Sequence, residues 1–391
     1  MLKTILLDLD DTLLDNKMES FLPAYFQRLG QFMSDTLPPD SFIRELVVGS
    51  QKMIENTDPR LTLEKAFADY FYPALNLNMD EAEAQIYTFY KQIFPSLQEV
   101  TGARPSARPV VESLLNQGLE VVVATNPLFP RVAIEERLRW ADLAPEEIPF
   151  TLITSYDIFH FTKPKPAYYA EILGQLGRKP HEAVMVGNDP GLDLAPARAL
   201  SMRVYHLSDD PCDEYPGGSL NDLLGWIDGQ VNAPDPEEIR TAQAVSARFR
   251  GHAGALTTLA RELSNDEWKR RPAPNEWAPV EIVCHLRDAE MEVNRPRLAA
   301  FSAAESPHLT ALDTDIWADE RNYIGQSGPE ALSDFLEARV ALLQELEILT
   351  EAEWNQPALH SLLGPTSLLE VMGIATDHDL LHLAQMRSTL P

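Results

Sequence analysis

The chain has 391 residues, of which 45% are hydrophobic and 24% charged, enough for two or three domains with cores of their own. Lys and Arg number 32 against 60 Asp and Glu, a formal charge of −28 that repels phosphate backbones and anionic membranes, so nucleic-acid and membrane partners are not expected. Two cysteines, Cys212 and Cys284, exclude a disulfide framework. The N-terminal apolar run breaks at Asp8, unlike a signal peptide, and no stretch of about 20 apolar residues is present, so a cytoplasmic protein is expected.

In chain order, "KTILLDLD" predicts a buried parallel strand that ends in acidic residues. Residues 18–100 read as four helices rich in aromatics: "FLPAYFQRLGQFM", "SFIRELVVGSQKMI", "TLEKAFADYFYPAL" and "EAEAQIYTFYKQIF". After Pro105 and Pro109 helix and strand alternate: "PVVESLLNQG", "LEVVVATN", "PRVAIEERLRWA", "FTLITS", "PAYYAEILGQLG", "AVMVGND" and "RVYHL". Alternation of this kind predicts a parallel sheet with helices on both faces and the helical block inserted after its first strand. "DGQVNAPDPEE" (228–238) reads as a linker. Beyond it no strand pattern is evident, only helical stretches near 237–263, 279–302, 329–349 and 366–388, a four-helix bundle.

Polar groups collect at the ends of predicted strands in "DLDDT" (8–12), "ATN" (124–126), "TKPKP" (162–166) and "VGNDPGLD" (186–193), where open α/β sheets bind ligands. In order and spacing these four segments resemble the motifs of the haloacid dehalogenase superfamily over residues 1–230. The resemblance implies a Rossmann-like parallel-sheet α/β core (1–15 and 105–230) with a helical, C1-type cap at 16–104. It makes Asp8 the nucleophile that forms an aspartyl-phosphate. Asp10 becomes the acid that protonates the leaving oxygen and then the base that activates water. Thr12 holds the turn after the strand, Thr125 and Asn126 bind phosphoryl oxygens, and Lys163 neutralises charge. Two carboxylates beside a phosphate call for Mg²⁺, with ligands expected from Asp8, the backbone carbonyl of Asp10, and the fourth segment. There the family often has Asp directly after Gly, whereas this chain has Asn188 followed by Asp189. Either can be the ligand, Asp189 is favoured slightly for its charge, and Asp193 supports the site. An acid at Asp10 points to phosphoryl transfer rather than halide release, so a phosphatase acting on a small phosphorylated metabolite is expected. A phosphomutase needs the same residues. Lys165 reads as a surface lysine, Asp11 and Asp15 as turn and surface residues. The cap aromatics Phe21, Tyr25, Phe26, Tyr70 and Phe71 read as core rather than substrate contacts.

In "DHDLLHLAQMR" (377–387) His378 and His382 share one helical face. His285 lies on the apolar stripe Val280, Ile282, Val283, Leu286 of another predicted helix, so three imidazoles can converge and leave a metal with open positions. "EWAPVEIVCHLRDAE", "DFLEARVALLQEL", "GPTSLLEVM" and the His segment resemble the DinB-like superfamily of metal-binding four-helix bundles over residues 237–391. That resemblance assigns His285, His378 and His382 to a divalent metal such as Ni, Zn or Fe. Trp277 matches the family's anchor before the second helix, and Ala278 replaces its usual Ser or Thr cap. Cys284 reads as a small buried residue, and His252, His308 and His360 as structural or exposed. The competing readings of this bundle are a thiol-dependent transferase and a non-catalytic element that senses a ligand or forms a homodimer through its outer faces.

Overall fold

The computed structural model describes residues 1–209, 214–231, 233–314 and 316–390, so Cys212 and Asn232 of the predicted linker lie outside the described residues. The chain divides into two compact units: Met1–Thr57, Leu61–Lys165 and Pro180–Glu237 form the first, and Asp58–Arg60, Pro166–Lys179 and Glu238–Pro391 the second.

Six strands build the sheet of the first unit: β1 (Thr4–Leu7), β2 (Glu120–Val123), β3 (Leu152–Ile153), β4 (Ala183–Gly187), β5 (Arg203–Leu207) and β6 (Gly217–Gly218). Their spatial order is β3-β2-β1-β4-β5-β6, and every neighbouring pair is parallel. β1 is buried on both faces, as its unbroken apolar run demands. Thr4 pairs with Glu120 on one side and Ala183 on the other, Leu7 with Val123 and Val186. Asp8, Ala124 and Gly187 therefore end three adjacent strands at one level. The chain leaves β1 for β2 and β3 on one side and then crosses to β4 on the other. The crevice at the carboxyl ends of these central strands is thus a topological switch point.

Between β1 and β2 the cap supplies α1 (Met18–Phe32), α2 (Pro39–Glu55), α3 (Leu63–Ala74) and α4 (Met79–Gln92). Pro39 opens α2 at a position that needs no N–H, and Thr62 and Asn78 cap α3 and α4 by accepting from Lys65 N and Glu81 N. A two-residue ladder, Leu14–Asp15 against Gly102–Ala103, closes the stem of the insert. α5 (Ala107–Asn116) and α6 (Arg131–Trp140) follow.

α7 (Pro166–Leu176) comes next and groups with the second unit, while α8 (Leu220–Gln230) belongs to the first. The second unit's other helices are α9 (Ala242–Ala260), α10 (Pro279–Ala289), α11 (Arg295–Ala303), α12 (Gly328–Glu347) and α13 (Leu368–Thr389). A wide π-type turn at Glu290–Asn294 joins α10 to α11. Ser367 and Glu370 cap α13 reciprocally. The core is aliphatic and aromatic, from Leu256, Val283, Phe335 and Met386 at one end to Phe249, Leu342 and Trp354 at the other. The expectation of no strands here is corrected. Pro357–His360 pairs antiparallel with Gly364–Ser367 and parallel with His308–Leu309. These pieces are too short, and too interrupted by Pro and Gly, for an alternating pattern to register in the sequence.

α7 packs on α9 and α13 through small residues. A methyl group at Gly251 of α9 would stand 2.6 Å from Ala170 Cβ and Glu171 N, and one at Gly174 of α7 would stand 2.7 Å from Ala255 Cβ. Glycine is what lets the two backbones approach this closely.

Candidate functional site

Asp8 extends β1 by one residue, its N–H donating to Val186 O at 3.0 Å. Lys163 Nζ stands 2.7 Å from Asp8 Oδ1 and 2.5 Å from Asp193 Oδ1, and all three side chains are buried. Burial raises the Asp8 carboxyl above its usual range, against the opposing Lys163 ammonium, and the Asp193 and Asp10 carboxylates add to the rise. Gly187 is required here, since a Cβ would fall 2.1 Å from Asp193 Oδ2. Thr125 is buried just past β2, its carbonyl accepting from Thr154 Oγ1 at 2.8 Å, and Asn126 Oδ1 accepts from Lys163 N at 3.3 Å. The first three segments and Asp193 therefore meet at one strand-end crevice.

In the fourth segment the two neighbours differ. Asp189 Oδ1 accepts from Gly191 N at 2.8 Å and Leu192 N at 3.0 Å, capping the turn Pro190–Leu194. Asn188 Oδ1 instead accepts from the buried Thr12 Oγ1 at 3.2 Å, on the side of β1. Asp193 Oδ2 accepts from Asp189 N at 3.1 Å.

Sequence reasoning missed the residues that hold Asp10. Arg137 of α6, 1% exposed, sets Nη1 2.7 Å from Asp10 Oδ2, and Asn16 Nδ2 donates to Asp10 Oδ1 at 2.7 Å. The Phe129 ring lies over the guanidinium, 4.8 Å away. Arg137 Nε and Nη2 are buried with no hydrogen-bond partner among the described residues. A signal was present: Arg137 falls on the buried stripe Ala133, Ile134, Leu138 of α6, where an arginine requires a partner. Lys165, read as a surface lysine, is corrected: it is half-buried and donates to Ile54 O of the cap. Of the cap aromatics, Phe21, Tyr25 and Phe71 are buried, Tyr25 and Phe26 also line a cavity, and the Tyr70 hydroxyl donates to Glu45 at 2.6 Å.

In the second unit His285 of α10 and His378 and His382 of α13 offer ligand atoms that all lie within 4.8 Å of one another. His378 Nε2 is 3.0 Å from His285 Nε2 and 3.1 Å from His382 Nε2. His382 Nδ1 is 2.7 Å from Gln385 Oε1, and with the proton on Nδ1 donated to that oxygen the Nε2 lone pair faces the other two imidazoles. Trp277 stacks on His382 with ring centres 5.6 Å apart. Burial, followed by repulsion from the facing imidazoles, pushes His285 down to about 3 and His382 down to about 4. Three imidazoles aimed at one point suit a transition metal. Beneath them, fully buried Arg339 donates to Glu290 at 2.6 and 3.1 Å, to Asp379 at 2.8 Å and to Phe249 O at 3.1 Å. Although burial opposes it, Arg339 holds the Asp379 carboxyl well below the usual range. Asp379 sits between the two α13 histidines in sequence, so this network fixes the rotation of the helix that carries them.

Cys284 is buried with Sγ 3.5 Å from Gln326 Oε1, and burial pushes its thiol up to about 11, as befits a packing residue. His360 is structural: its Nδ1 accepts from Leu362 N and Leu363 N at 3.2 and 3.3 Å. His252 is buried 3.9 Å from Asp379, and His308 is exposed. Ala278 leaves α10 with half a capping box, in which Glu281 accepts from Ala278 N at 2.9 Å.

Comparison with known proteins follows the two units. Residues 248–386 match the family model of the DinB superfamily. The phosphoglycolate phosphatase of Rhodospirillum rubrum is 28% identical over 212 residues, which is 53% of this chain and 80% of that protein. Among solved structures, a haloacid dehalogenase phosphatase from Thermococcus onnurineus is 19% identical, covers 58% of this chain and 99% of its own, and has a TM-score of 0.39. YfiT from Bacillus subtilis, described as a probable metal-dependent hydrolase with an unusual four-helix bundle topology, is 14% identical, covers 40% and 90%, and has a TM-score of 0.36. Residues 2–200 match the model for haloacid dehalogenase-like hydrolases, and with more than half of its length so matched the chain belongs to that family.

Proposed function

We propose that the first unit is a Mg²⁺-dependent phosphatase that hydrolyses a small phosphorylated metabolite through an aspartyl-phosphate. The observation that carries this reading is Lys163 Nζ bridging Asp8 at 2.7 Å and Asp193 at 2.5 Å, beside an Asp10 held by Arg137. Asp8 Oδ attacks phosphorus while the ester oxygen leaves with a proton from Asp10. Asp10, now a carboxylate, takes a proton from water, which attacks phosphorus and returns Asp8 and free phosphate. Thr125 and Asn126 bind the phosphoryl oxygens and Lys163 offsets their charge. Crowded acids in a buried crevice suit a hard dication, held by Asp8, the Asp10 carbonyl and Asp193. Bound there, Mg²⁺ would supply charge neutralisation between nucleophile and phosphate. With Asp189 engaged as a cap and Asn188 turned toward Thr12, the geometry supports Asn188 as the amide ligand in preference to Asp189.

The second unit, on this reading, holds a divalent transition metal (Ni, Zn or Fe) on His285, His378 and His382. A cavity of about 460 Å³ opens onto His378 and His382, with Trp277 and Gln385 on its wall, which supports an open, ligand-accepting site over a closed structural one. Thiol-dependent transfer is one chemistry such a site accommodates.

One pair of variants tests both sites. Asp8→Asn should abolish hydrolysis of p-nitrophenyl phosphate with the fold retained, while His382→Ala should lose the transition metal by elemental analysis and keep Mg²⁺-dependent hydrolysis. Wild-type turnover in Asp8→Asn would overturn the phosphatase mechanism, and wild-type metal content in His382→Ala would overturn the tri-histidine site.

A further inference from the structure

The cap encloses a cavity of about 340 Å³ whose lining holds no Asp, Glu, Lys, Arg or His among the described residues. Its walls are leucines, phenylalanines and other apolar side chains of α1, α2, α3 and α4, closed on the core side by Leu128, Phe129 and Pro130. The polar groups on the lining are all uncharged: the hydroxyls of Tyr25, Tyr72, Tyr90, Tyr156 and Ser50 and the amide of Gln51. Tyr25 and Tyr90 are committed to each other, with hydroxyl oxygens 2.9 Å apart, and burial pushes the Tyr25 hydroxyl up to about 12. Ser50 Oγ donates to Leu46 O within α2 at 2.9 Å. The rim is open, with Val47 49% exposed beside Gln51.

This chamber adjoins the catalytic residues through the chain itself. Leu128 and Phe129 follow the phosphate-binding Thr125 and Asn126, and the Phe129 ring that forms the chamber wall covers the Arg137 guanidinium that holds Asp10. Asp10 is the group assigned to protonate the leaving oxygen, so the leaving alcohol departs past Asp10, whose partner Arg137 packs on the Phe129 wall of the chamber. A volume of about 340 Å³ is at the small end of ligand pockets, about 300–1,000 Å³. It exceeds what a two- or three-carbon acid needs, and it offers such an acid no cation.

Resting on the phosphatase reading above, we propose that the cap chamber is the leaving-group site and that it selects phosphate monoesters of neutral, apolar alcohols, alkyl or aryl, over esters whose alcohol carries a carboxylate or second phosphate. Each methylene that enters the chamber would leave water, which is worth at most about fourfold in kcat/KM.

The test uses the full-length protein with Mg²⁺ and a series of ethyl, butyl, hexyl and octyl phosphates beside phosphoglycolate and p-nitrophenyl phosphate. The expected result is a kcat/KM that climbs with chain length by about threefold to fourfold per methylene until the chamber is full, with phosphoglycolate below butyl phosphate. Ser50→Phe, which fills the chamber from α2, should flatten that slope, and Val47→Lys at the rim should raise the relative rate of the anionic ester. A flat series, or phosphoglycolate as the best ester, overturns the proposal while hydrolysis of p-nitrophenyl phosphate leaves the phosphatase reading standing. No hydrolysis of any ester overturns both, beginning with the phosphatase reading. An unchanged slope in a folded Ser50→Phe variant also overturns the chamber's role.

Discussion

On the proposed mechanism, in which Asp10 is the acid and base, Arg137→Met separates holding Asp10 from holding the fold. At 2.7 Å the Arg137–Asp10 pair has a gross attraction of about 6 kcal/mol at an effective dielectric of 20. Little of that is net. Asp10 is 20% exposed, so water can replace the guanidinium, and it keeps the hydrogen bond from Asn16. The substitution also removes two buried N–H groups with no partner among the described residues, Nε and Nη2, whose unmet hydrogen bonds cost about 1–3 kcal/mol each. The balance lies near zero, so the unfolding free energy from urea denaturation should change by no more than about 1–2 kcal/mol in either direction. Activity should respond differently. Asp10 as general acid and base is worth about 10²–10⁴ in rate, and a carboxylate released from its tether should forfeit part of that. The expected loss in kcat is about 10–100-fold, within that range, with KM little changed because Arg137 touches Asp10 rather than the phosphoryl site. In an Asp10→Asn background the same substitution should cost less than about twofold, the signature of a residue acting through its partner. Wild-type kcat in Arg137→Met, or an equal loss with and without Asp10, would refute the positioning role.

Two further perturbations test the fourth segment and the seating of α7. Asn188→Ala should raise the Mg²⁺ concentration for half-maximal activity at least tenfold, whereas Asp189→Ala should cost about 1 kcal/mol of stability as a lost cap and leave the Mg²⁺ requirement close to wild type; Mg²⁺ titration and thermal melts of both variants decide, and the reverse pattern would return the ligand role to Asp189. Gly251→Leu drives a side chain into the backbone of α7 at Glu171 N and Ala167 O, 2.6 and 2.7 Å from the new Cβ, and should lower stability by about 1–3 kcal/mol. Because α7 begins three residues after Lys163, kcat should fall with it, and a variant with normal melting and normal kcat would show that α7 does not depend on that contact.

The parts of this molecule that sequence made legible are those in which residue type and spacing carry the information locally. The unbroken apolar run before Asp8 can only be a strand buried on both faces, and polar residues at strand ends mark the crevice of an open sheet. The four cap helices are visible because each has its own apolar periodicity, and three of them, α2, α3 and α4, also open on a start signal. What escaped depends on partners far away in the chain. Arg137 meets Asp10 across 127 positions, and nothing near either residue names the other. α7 lies in sequence among the strands of the sheet, yet Gly174, Gly251 and Ala255 seat it on α9 and α13. Small residues that permit close approach look, in a single sequence, like residues that do nothing.

The histidine cluster divides the same way. The four-position step from His378 to His382 puts both on one face of α13, and that much is encoded in the spacing. Which way the face points is not. Asp379, bound 2.8 Å from Arg339, turns α13 so that the histidines look toward α10, and Glu290 brings α10 to the same arginine by way of the π-type turn. A buried ion pair contributes little to net stability and loses heavily when one partner is removed, so a fully satisfied Arg339 penalises every rotation of α13 that would break it. The candidate metal ligands are therefore readable from the histidines alone. Their aim comes from an arginine, a glutamate and an aspartate that sequence inspection passes over as ordinary charges on a highly acidic chain.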